Sequence, residues 1–523
     1  MKIVVCVKQT ADGELNPFDA SAYEAALRIA DSEVILLSMG PERTGEMLLN
    51  LTRLGAKEAY HLCDPAFAGA DTLATAYTLS LAIGKLRPDL VICGRQTVDG
   101  DTAQTGPSLS VMANLNLITN VMKIAEVICP EDGGEISGGT RDLAGSGAGL
   151  CCETRDGILH RVPYPALITV ERIHHLRLPS IRSKRGVVTR WTTEDIGADP
   201  TRCGMQGSPT KVVASFANEE GKRKCKFIQA QELLVAVAAG LSKEKDRLKP
   251  VSRPGKLLPD VWIVGEDPRP YGEMVSDSVT VIDRKNFAAD IGNDTRVFAE
   301  KFAEYVREHN PQVILWGSDA WSKAVAPQVA AILQTGLCAD CTALETDGEN
   351  LFMYRPAFSG NIIAKIICGT TPVMATVRTV DKEGADVICS IGRGAKDAVE
   401  QIEEFANSMN WELAASRGAV DGEFQPYHRQ VGITGKSVSP AVYLAVGISG
   451  AVHHIAGMKQ SGTVIAINPD PKAPIFEYAD YGVIGTIEEV LDHLLIFKKS
   501  NAQKCKSTMR AVKIKNNNTT QVS

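Results

Sequence analysis

The sequence predicts an α/β protein with two related Rossmann-like domains and a third, doubly wound parallel-sheet domain. Three observations predict it. Apolar runs of strand length alternate with stretches of helical spacing from the first residues onward, the pattern of parallel strands joined by crossover helices. One order of elements occurs twice: strand, glycine, polar loop, proline, helix and turn run through RPDLVICGRQTVDGDTAQTGPSLSVMANLNLITN and again through NPQVILWGSDAWSKAVAPQVAAILQTGLCAD. That is a duplicated domain rather than a short-period solenoid. The last third then brings strands of its own, WELAASRGAVD, AVYLAVGIS and TVIAINPD, after the helical AKDAVEQIEEFANSMN.

Taken in order, KIVVCVK is a continuous apolar run that suits a buried strand. SAYEAALRIAD has helical spacing, SEVILLSMG is a strand ending in glycine, and TGEMLLNLTRLGA is a helix with a glycine stop. PDLVICG gives a third strand and TGPSLSVMANLN a further helix. DGGEISGGTRDLAGSGAG reads as a surface hairpin or loop, AQELLVAVAAGLSKEKDR as an amphipathic helix, and the proline-rich, basic RLKPVSRPGKLLPD as a linker. The second copy supplies VWIVGED as a strand, NDTRVFAEKFAEYVREHN as a helix, PQVILWG as a strand and VAPQVAAILQTG as a helix. A third globular unit starts near Gly392, and residues 501–523 lack apolar periodicity, as a disordered tail does.

The 523 residues and 44% hydrophobic content suit a multidomain globular chain. A net charge of −6 argues against nucleic acid as partner. KIVVCVK is too short for a signal segment. With no run of about 20 apolar residues, no stable membrane insertion is expected. The 13 cysteines are scattered, as in a reducing cytoplasm. Cys338 and Cys341 form a single C-x-x-C without the second pair of a structural zinc site, so they are expected as packing cysteines. Cys151–Cys152 and His174–His175 are read likewise.

Ligands of open α/β sheets sit at the carboxyl ends of the strands. There the last domain collects Ser416 and Arg417 in SRGAVD, Thr434 and Lys436 in GITGK, Ser449 to His454 in SGAVHH, and Asn468, Asp470 and Asp480 after TVIAI. A flavin needs such a set, because reduction places negative charge on its pyrimidine side, where a cation and a hydrogen-bond donor stabilise it. A nucleotide-binding fold with solvated polar loops remains the plain alternative.

These stretches carry a resemblance. SRGAVD, VGITGKSVSPAVYLAVGISGAVHHIAGM and AINPDPKAPIFEYADYG resemble the FAD domain of the alpha subunit of electron transfer flavoproteins. GLCADCTAL, YRPAFSGNIIAKI and PVMATVR resemble that subunit's first domain. KIVVCVKQT, LNPFDASAYEAALRI, GRQTVDGDTAQTGP, LRLPSIR and CGMQGSPTKV resemble the beta subunit. The chain thus resembles a fused beta–alpha electron transfer flavoprotein. The resemblance implies two Rossmann-like (adenine nucleotide alpha hydrolase-like) domains plus a doubly wound FAD-binding domain. Its expected parts are a beta-like domain at 1–215, a helical arm and linker at 216–258, an alpha-like first domain at 259–382, and an FAD-binding domain at 390–500.

The resemblance also implies roles. FAD would be held by Arg393, Ser416, Arg417, Val431, Gly432, Ile433, Thr434, Ser449, Gly450, Ala451, Val452, His453, His454, Asn468, Thr486 and Ile487. Arg417 would lie near the ring, Thr434 near its N5 and His454 near its O2. Two positions depart from the family pattern, Ile433 and His453, each standing where the family has glutamine. A second nucleotide, FAD or AMP, would be held by Cys6, Asn16, Pro17, Phe18, Asp19 and the run Gly94, Arg95, Gln96, Thr97, Val98, Asp99, Gly100, Asp101, Thr102, Ala103, Gln104 and Thr105. The order D-G-D-T-A-Q resembles bifurcating members of the family and favours FAD, and the small Gly100 and Ala103 leave room near the backbone.

By the same resemblance the chain is a cytoplasmic electron carrier, and Leu178 docks an acyl-CoA dehydrogenase-like or other flavoprotein dehydrogenase. NADH and a quinone or ferredoxin acceptor follow if the second site is a flavin. Gly384, Gly392 and Gly394 mark a hinge around 381–395. An NADH-oxidising enzyme and a redox-silent nucleotide sensor are the competing classes.

Overall fold

The computed structural model describes residues 1–125, 149–155, 157–217, 222–242, 256–287, 294–357, 362–378, 385–432, 435–436 and 438–491. The expected loop at 132–148, much of the linker, Gly384, Ile433, Thr434 and the tail lie outside them. The chain forms two compact units, one from 1–217 with 251–379, the other from 218–250 with 380–523.

The first unit opens with β1 (Lys2–Cys6), α1 (Pro17–Leu27), β2 (Glu33–Met39), α2 (Thr44–Leu51), β3 (Glu58–Leu62), α3 (Thr72–Leu86), β4 (Leu90–Gly94), α4 (Thr105–Met112) and β5 (Asn116–Ala125). β6 (Gly149–Thr154), β7 (Leu159–Pro163), β8 (Ala166–Val170), β9 (Val187–Trp191) and the short α5 (Thr193–Ile196) follow. The strands form one sheet in the order β7-β6-β5-β8-β4-β1-β2-β3-β9. Its pairings are parallel except for the antiparallel β5, β6 and β7. The alternation of a strand explains the layers. Ile3 and Val5 pack with Ala22 and Tyr23 of α1 on one face, and Val4 packs with Leu79 and Ile83 of α3 on the other.

β10 (Thr210–Ala217) leaves that sheet and pairs with β18 (Ile362–Cys368) of the duplicated domain, in the antiparallel order β10-β18-β17-β16 with β16 (Ala343–Thr346) and β17 (Leu351–Ala357). The expected boundary at residue 215 therefore falls inside a strand. The duplicated domain itself contains β12 (Val261–Val264), α7 (Arg269–Val275), β13 (Val279–Ile282), α8 (Arg284–Phe287), α9 (Thr295–His309), β14 (Val313–Trp316), α10 (Ala320–Leu333), β15 (Leu337–Cys341) and β19 (Val373–Val377). Its parallel order β13-β12-β14-β19-β15 repeats β2-β1-β4-β8-β5 strand for strand. The duplication read from the sequence is thus present in the topology. The equivalent helices α4 and α10 meet, and Ser108 Oγ donates to Pro327 O at 3.2 Å.

The second unit holds β11 (Lys226–Phe227) and α6 (Leu233–Ser242), then β20 (Val387–Ile391), α11 (Val399–Ser408), β21 (Glu412–Ala415), α12 (Arg417–Asp421), β22 (Val442–Val446), α13 (Val452–Met458), β23 (Thr463–Asn468) and β24 (Tyr481–Ile484). They form an all-parallel sheet, β11-β24-β23-β22-β20-β21. Three expectations change here. β20 opens the sheet before residue 390. The arm is part of this domain, because β11 is its edge strand and Gly240 of α6 lies so close that a Cβ there would sit 2.7 Å from Val442. SRGAVD is not strand: β21 stops at Ala415 and Ser416 starts a short helix.

In the first unit Asp71 joins two elements. Its Oδ1 accepts from the Leu73 and Ala74 N–H groups at 3.0 Å each, capping α3, and its Oδ2 accepts from Thr210 N and Oγ1 at 3.1 and 2.7 Å. A lost cap costs about 1 kcal/mol and each further bond of this kind about as much. Asp71→Ala is expected to destabilise the first unit by roughly 2–3 kcal/mol, read as a lower midpoint in its urea transition.

Candidate functional site

In the second unit the chain runs from β20 outward to β21, then crosses back to β22 on the other side of β20. The carboxyl ends of β20 and β22 are therefore a topological switch point, the usual ligand crevice of such a sheet. Glycine makes it possible for the two ends to close up. Gly392 N donates to Val446 O at 2.7 Å and Gly394 N to Gly447 O at 3.1 Å. A Cβ on Gly392 would lie 2.1 Å from Gly447 O, and Gly447 has φ +66°. These bonds hold Gly392 and Gly394 in the crevice wall, so they do not form the expected hinge.

Several of the expected flavin residues that are described lie just beyond strand ends. Arg393 and Gly394 follow β20 and are exposed. Ser416 and Arg417 follow β21, and Arg417 Nε lies 3.1 Å from Asp421 Oδ2 with 43% of its side chain exposed. The Gly418 Cβ position is 3.4 Å from Arg393 Cβ, so the two arginine-bearing segments adjoin. Val431 N donates to Ala415 O at 2.8 Å, and Gly432 takes φ +140°. After β22 come the exposed Ser449, Gly450 at φ +93°, and the exposed Ala451, Val452 and His453. Thr486 is exposed beyond β24.

Other members of the set serve the protein itself. Asn468 Nδ2 donates to Ile448 O at 3.0 Å and its Oδ1 accepts from Asp470 N at 2.9 Å, holding the turn after β23. Ile487 is buried against Gly447. Lys436 pairs with Glu412, and Asp480 pairs with Arg223 of the arm. His454 is buried, with Nε2 3.0 Å from Tyr443 Oη and Nδ1 3.1 Å from Val431 O. Burial pushes its imidazole down to about 4, partly opposed by the Val431 carbonyl. Both its nitrogens are thus engaged inside the protein, which differs from the expected free donor.

A second cluster lies in the first unit, where β1 and β4 end. Asn16 Nδ2 donates to Gln96 O at 2.9 Å, and Pro17 sets the first turn of α1. Phe18 is buried under the Arg95 guanidinium, 5.5 Å from the ring centre, and Arg95 pairs with Glu171 at 3.3 Å. Gly94 has to be glycine, since a Cβ would lie 2.4 Å from Asp19 Oδ1. Cys6 and Cys93 are register partners at these strand ends. Burial raises Asp19 to about 7, against the Lys8 N–H that donates to it at 2.8 Å.

The loop after β4 folds on itself: Asp101 N donates to Thr97 O at 2.8 Å, and Asp101 and Ala103 both have positive φ. Burial would raise Asp99, but the Lys8 ammonium, 2.9 Å away, lowers it. Gln104 is buried, with its Oε1 accepting from Thr72 Oγ1 and its Nε2 donating to Leu337 O. Thr105 begins α4, Val98 and Thr102 lie between these groups, and all three are half-buried.

Residues of the duplicated domain complete this cluster, and sequence reasoning assigned them no role. Arg355 on β17, 7% exposed, donates from Nη2 to Gly100 O at 2.7 Å and Asp101 O at 3.3 Å, while its Nε has no hydrogen-bond partner among the described residues. Asp340 on β15 pairs with Arg378 at 3.0 Å and Lys323 at 3.2 Å. These cations overcome its burial and hold it well below the usual carboxylate range. Asp101 is raised by burial and by the Asp340 charge, against Arg355, Arg95 and Arg378. Asp340, Arg355 and Arg378 lie inside the motifs GLCADCTAL, YRPAFSGNIIAKI and PVMATVR, which carry the family resemblance but say nothing of this contact. Cys338 and Cys341 flank Asp340's strand position and are buried.

A family model described as electron transfer flavoprotein domain matches residues 3–135 and 267–404, and one described as electron transfer flavoprotein FAD-binding domain matches 381–459. The chain belongs to the electron transfer flavoprotein family. An electron transfer flavoprotein subunit alpha of Thermoanaerobacterium thermosaccharolyticum is 37% identical over 247 residues, covering 38% of this chain and 75% of the relative. Protein FixA of Azorhizobium caulinodans is 34% identical over 285 residues, 48% of this chain and 96% of the relative. The lactate dehydrogenase (NAD(+),ferredoxin) subunit LctC of Acetobacterium woodii is 33% identical over 243 residues, 38% of this chain and 58% of that protein. With two copies of the first domain and one FAD-binding domain, this electron transfer flavoprotein joins beta-like and alpha-like parts in one chain. The FAD-binding match spans the switch-point glycines, Arg393, Ser416, Arg417 and the Val431–Gly432 turn. Close backbone approach at Gly392 and Gly447, beside two arginines, fits a flavin nucleotide.

The residue expected to dock a partner also has a clear place. Leu178 is 89% exposed and Ile181 99% exposed, and Arg177 is clamped to Glu24 at 2.9 Å through both Nε and Nη2. Burial would raise Glu24, but Arg177 and Arg28 bring it down to about 2. No helix among the described residues is long and apolar enough to cross a membrane.

Asp19 gives a pH signature. An unfolded aspartate titrates near 3.9, so the folded chain keeps a proton between about 4 and about 7 that the unfolded chain has lost. That contribution is fully present below the unfolded value and is lost as pH rises through the folded one. Unfolding free energy is expected to fall by roughly 3–4 kcal/mol across this window. Asp19→Asn, compared by urea unfolding at pH 4.5 and 8, should abolish most of the fall.

Proposed function

We propose that the chain is a cytoplasmic, electron-bifurcating carrier with two flavins. One FAD is held by the second unit at the ends of β20 to β24, and another by the loop from Gly94 to Thr105. The observation that carries the first assignment is the glycine-walled switch point with Arg393, Ser416 and Arg417 at its rim. Bound there, FAD supplies reversible one- and two-electron chemistry. The protein's part is to bind and orient it and to set its potential. Arg393 and Arg417 bring positive charge, and Ser416 and Ser449 bring hydroxyls. In this reading Ile433 and Thr434 adjoin the ring, outside the described residues.

The second nucleotide rests on Asn16, Asp19 and the loop that Arg355 holds by its backbone carbonyls. Arg355 and Arg378 bring guanidinium groups beside this loop, which favours a phosphate-bearing ligand. The small Gly100 and Ala103 favour FAD over AMP, and the relative that is a subunit of an NAD(+)- and ferredoxin-linked lactate dehydrogenase supports NADH as donor. A carrier with one FAD and a structural AMP is the second reading, since the same loop suits an adenine nucleotide alone. Leu178 and its clamped base support docking of a flavoprotein dehydrogenase of the acyl-CoA dehydrogenase-like kind, with a quinone or ferredoxin as a further acceptor.

Two flavins per chain and no released AMP are expected on denaturing purified protein. One flavin with one AMP overturns the second flavin, and a flavin-free folded chain overturns the whole reading. Arg417→Ala is expected to lower the one-electron potential of the FAD in the second unit by roughly 40–130 mV, the effect of losing about 1–3 kcal/mol of charge stabilisation. Spectroelectrochemical titration reads it. Leu178→Ala should raise the KM for the docked dehydrogenase by roughly tenfold or more with the flavin spectrum unchanged.

A further inference from the structure

We propose that the first unit binds a small organic phosphate in a cleft between α3, the segment from Thr201 to Lys211 and the duplicated domain. The cleft holds about 400 Å³, within the usual range of small-molecule sites. Leu73, Ala74 and Tyr77 of α3 line it together with Pro209. Gln334, Gly369 and Thr370 line it from the duplicated domain. No residue of the loop from Gly94 to Thr105 takes part, so this cleft is separate from the second nucleotide site and does not rest on the flavin reading.

Charge names the ligand class. Arg202 and Lys211 bring two cations to the cleft, and no carboxylate lines it. Neither cation makes an ion pair among the described residues. The carboxylates beside the cleft in sequence are already engaged. Asp71 is taken up by Leu73, Ala74 and Thr210. Asp199 Oδ1 accepts from Thr201 N at 2.9 Å and from Thr201 Oγ1 at 2.7 Å. Two unpaired cations match a phosphomonoester, which carries close to two negative charges at neutral pH.

Arg202 is held ready for such a group. Its guanidinium lies 4.0 Å from the Tyr77 ring centre, and its Nη2 donates to Gln334 Oε1 at 2.7 Å. The Tyr77 ring is itself fixed, because its hydroxyl accepts from Asp199 N at 3.1 Å. Stacking and one hydrogen bond thus set a flat donor fork, while Nε and Nη1 have no hydrogen-bond partner among the described residues. Little side-chain freedom remains to be lost on binding. Lys211 stands on β10 opposite Ile367 of β18, next to the Thr210 that Asp71 anchors. Leu73, Ala74 and Pro209 offer an apolar surface for the carbon body of the ligand. A Cβ on Gly369 would meet nothing nearer than Pro209 O at 3.8 Å, so that wall stays open.

The test is calorimetric titration of the full chain with phenyl phosphate, after saturation with FAD and AMP so that the nucleotide sites are filled. One saturable equivalent is expected, bound several-fold tighter than inorganic phosphate or benzoate, and it should raise the urea midpoint of the first unit. Lys211→Gln is expected to weaken binding about tenfold, and Arg202→Gln at least as much, with flavin content unchanged. Absence of saturable binding overturns the proposal. So does phenyl phosphate binding that Lys211→Gln leaves unchanged. Benzoate binding as tightly overturns the phosphate assignment, and inorganic phosphate binding as tightly overturns the organic one. Arg202 also ties the segment to the duplicated domain through Gln334, so should Arg202→Gln fail to fold, Lys211→Gln at an exposed position decides alone. Loss of the flavin reading is a separate result, a folded chain that takes up no FAD, and the Lys211→Gln comparison still distinguishes this cleft from the emptied sites.

Discussion

The backbone contact between Gly392 and Gly447 is the constraint on which the flavin unit depends. Just beyond the last paired residues of β20 and β22, Ile391 and Val446, the backbones come so close that a Cβ on Gly392 would lie 2.1 Å from Gly447 O. Gly392 N–H to Val446 O and Gly394 N–H to Gly447 O take the place of ladder bonds that the strands no longer make. With the ends held, Arg393 is displayed on one side, Ser449 and Gly450 on the other, and Ser416 and Arg417 come from the neighbouring strand. The side chains at the rim are few and ordinary. Their convergence comes from strand order and from two glycines.

The first unit solves a similar problem by different means. Its loop from Gln96 to Ala103 enters positive φ twice, at Asp101 and Ala103, and a conformation of that kind persists when its surroundings hold it. Arg355 does so by taking both Gly100 and Asp101 carbonyls. It comes from the duplicated domain, whose own loop, SDAWSKAV, lacks this polar set but whose strand order matches. Duplication thus produced one copy that displays a polar loop and another that braces it. The α4–α10 contact sets the two copies at the distance this requires, with Gln104 reaching Leu337 across it.

Much of the fold was legible because its signals are local. Apolar runs, glycine stops and the repeated strand–loop–helix order mark the sheets and the duplication. β3 and α3 went unread for opposite reasons: EAYHL mixes charge into a short strand, and α3 is apolar around much of its circumference because it lies between the sheet and its neighbours. SRGAVD read as strand because apolar residues precede it, but the Ser416 turn stops it. The rim residues were legible from position after a strand. Arg355, Asp340 and Arg378 were not, since they meet Asp101 from more than two hundred residues away and nothing near them in sequence marks the contact. Tyr443 looked like one more apolar residue of a buried strand, and only the proximity of His454 shows its polar end at work.

The two candidate sites differ most in how their charges are solvated. Arg417 is 43% exposed and leans on a half-exposed Asp421, so its field acts largely through water, with a high effective dielectric. Lys436 is already paired with Glu412, and both nitrogens of His454 are engaged inside the protein, which leaves Arg393 and Arg417 to bring positive charge to that rim. Around Asp101 the opposite holds. Arg355 is 7% exposed, and Arg378 and Asp340 each show 15% of their side chains. Charges so placed interact through protein and are little screened by salt. The rim of the second unit therefore responds to whatever excludes water from it, while the buried cluster fixes its potential in advance, independent of ionic strength.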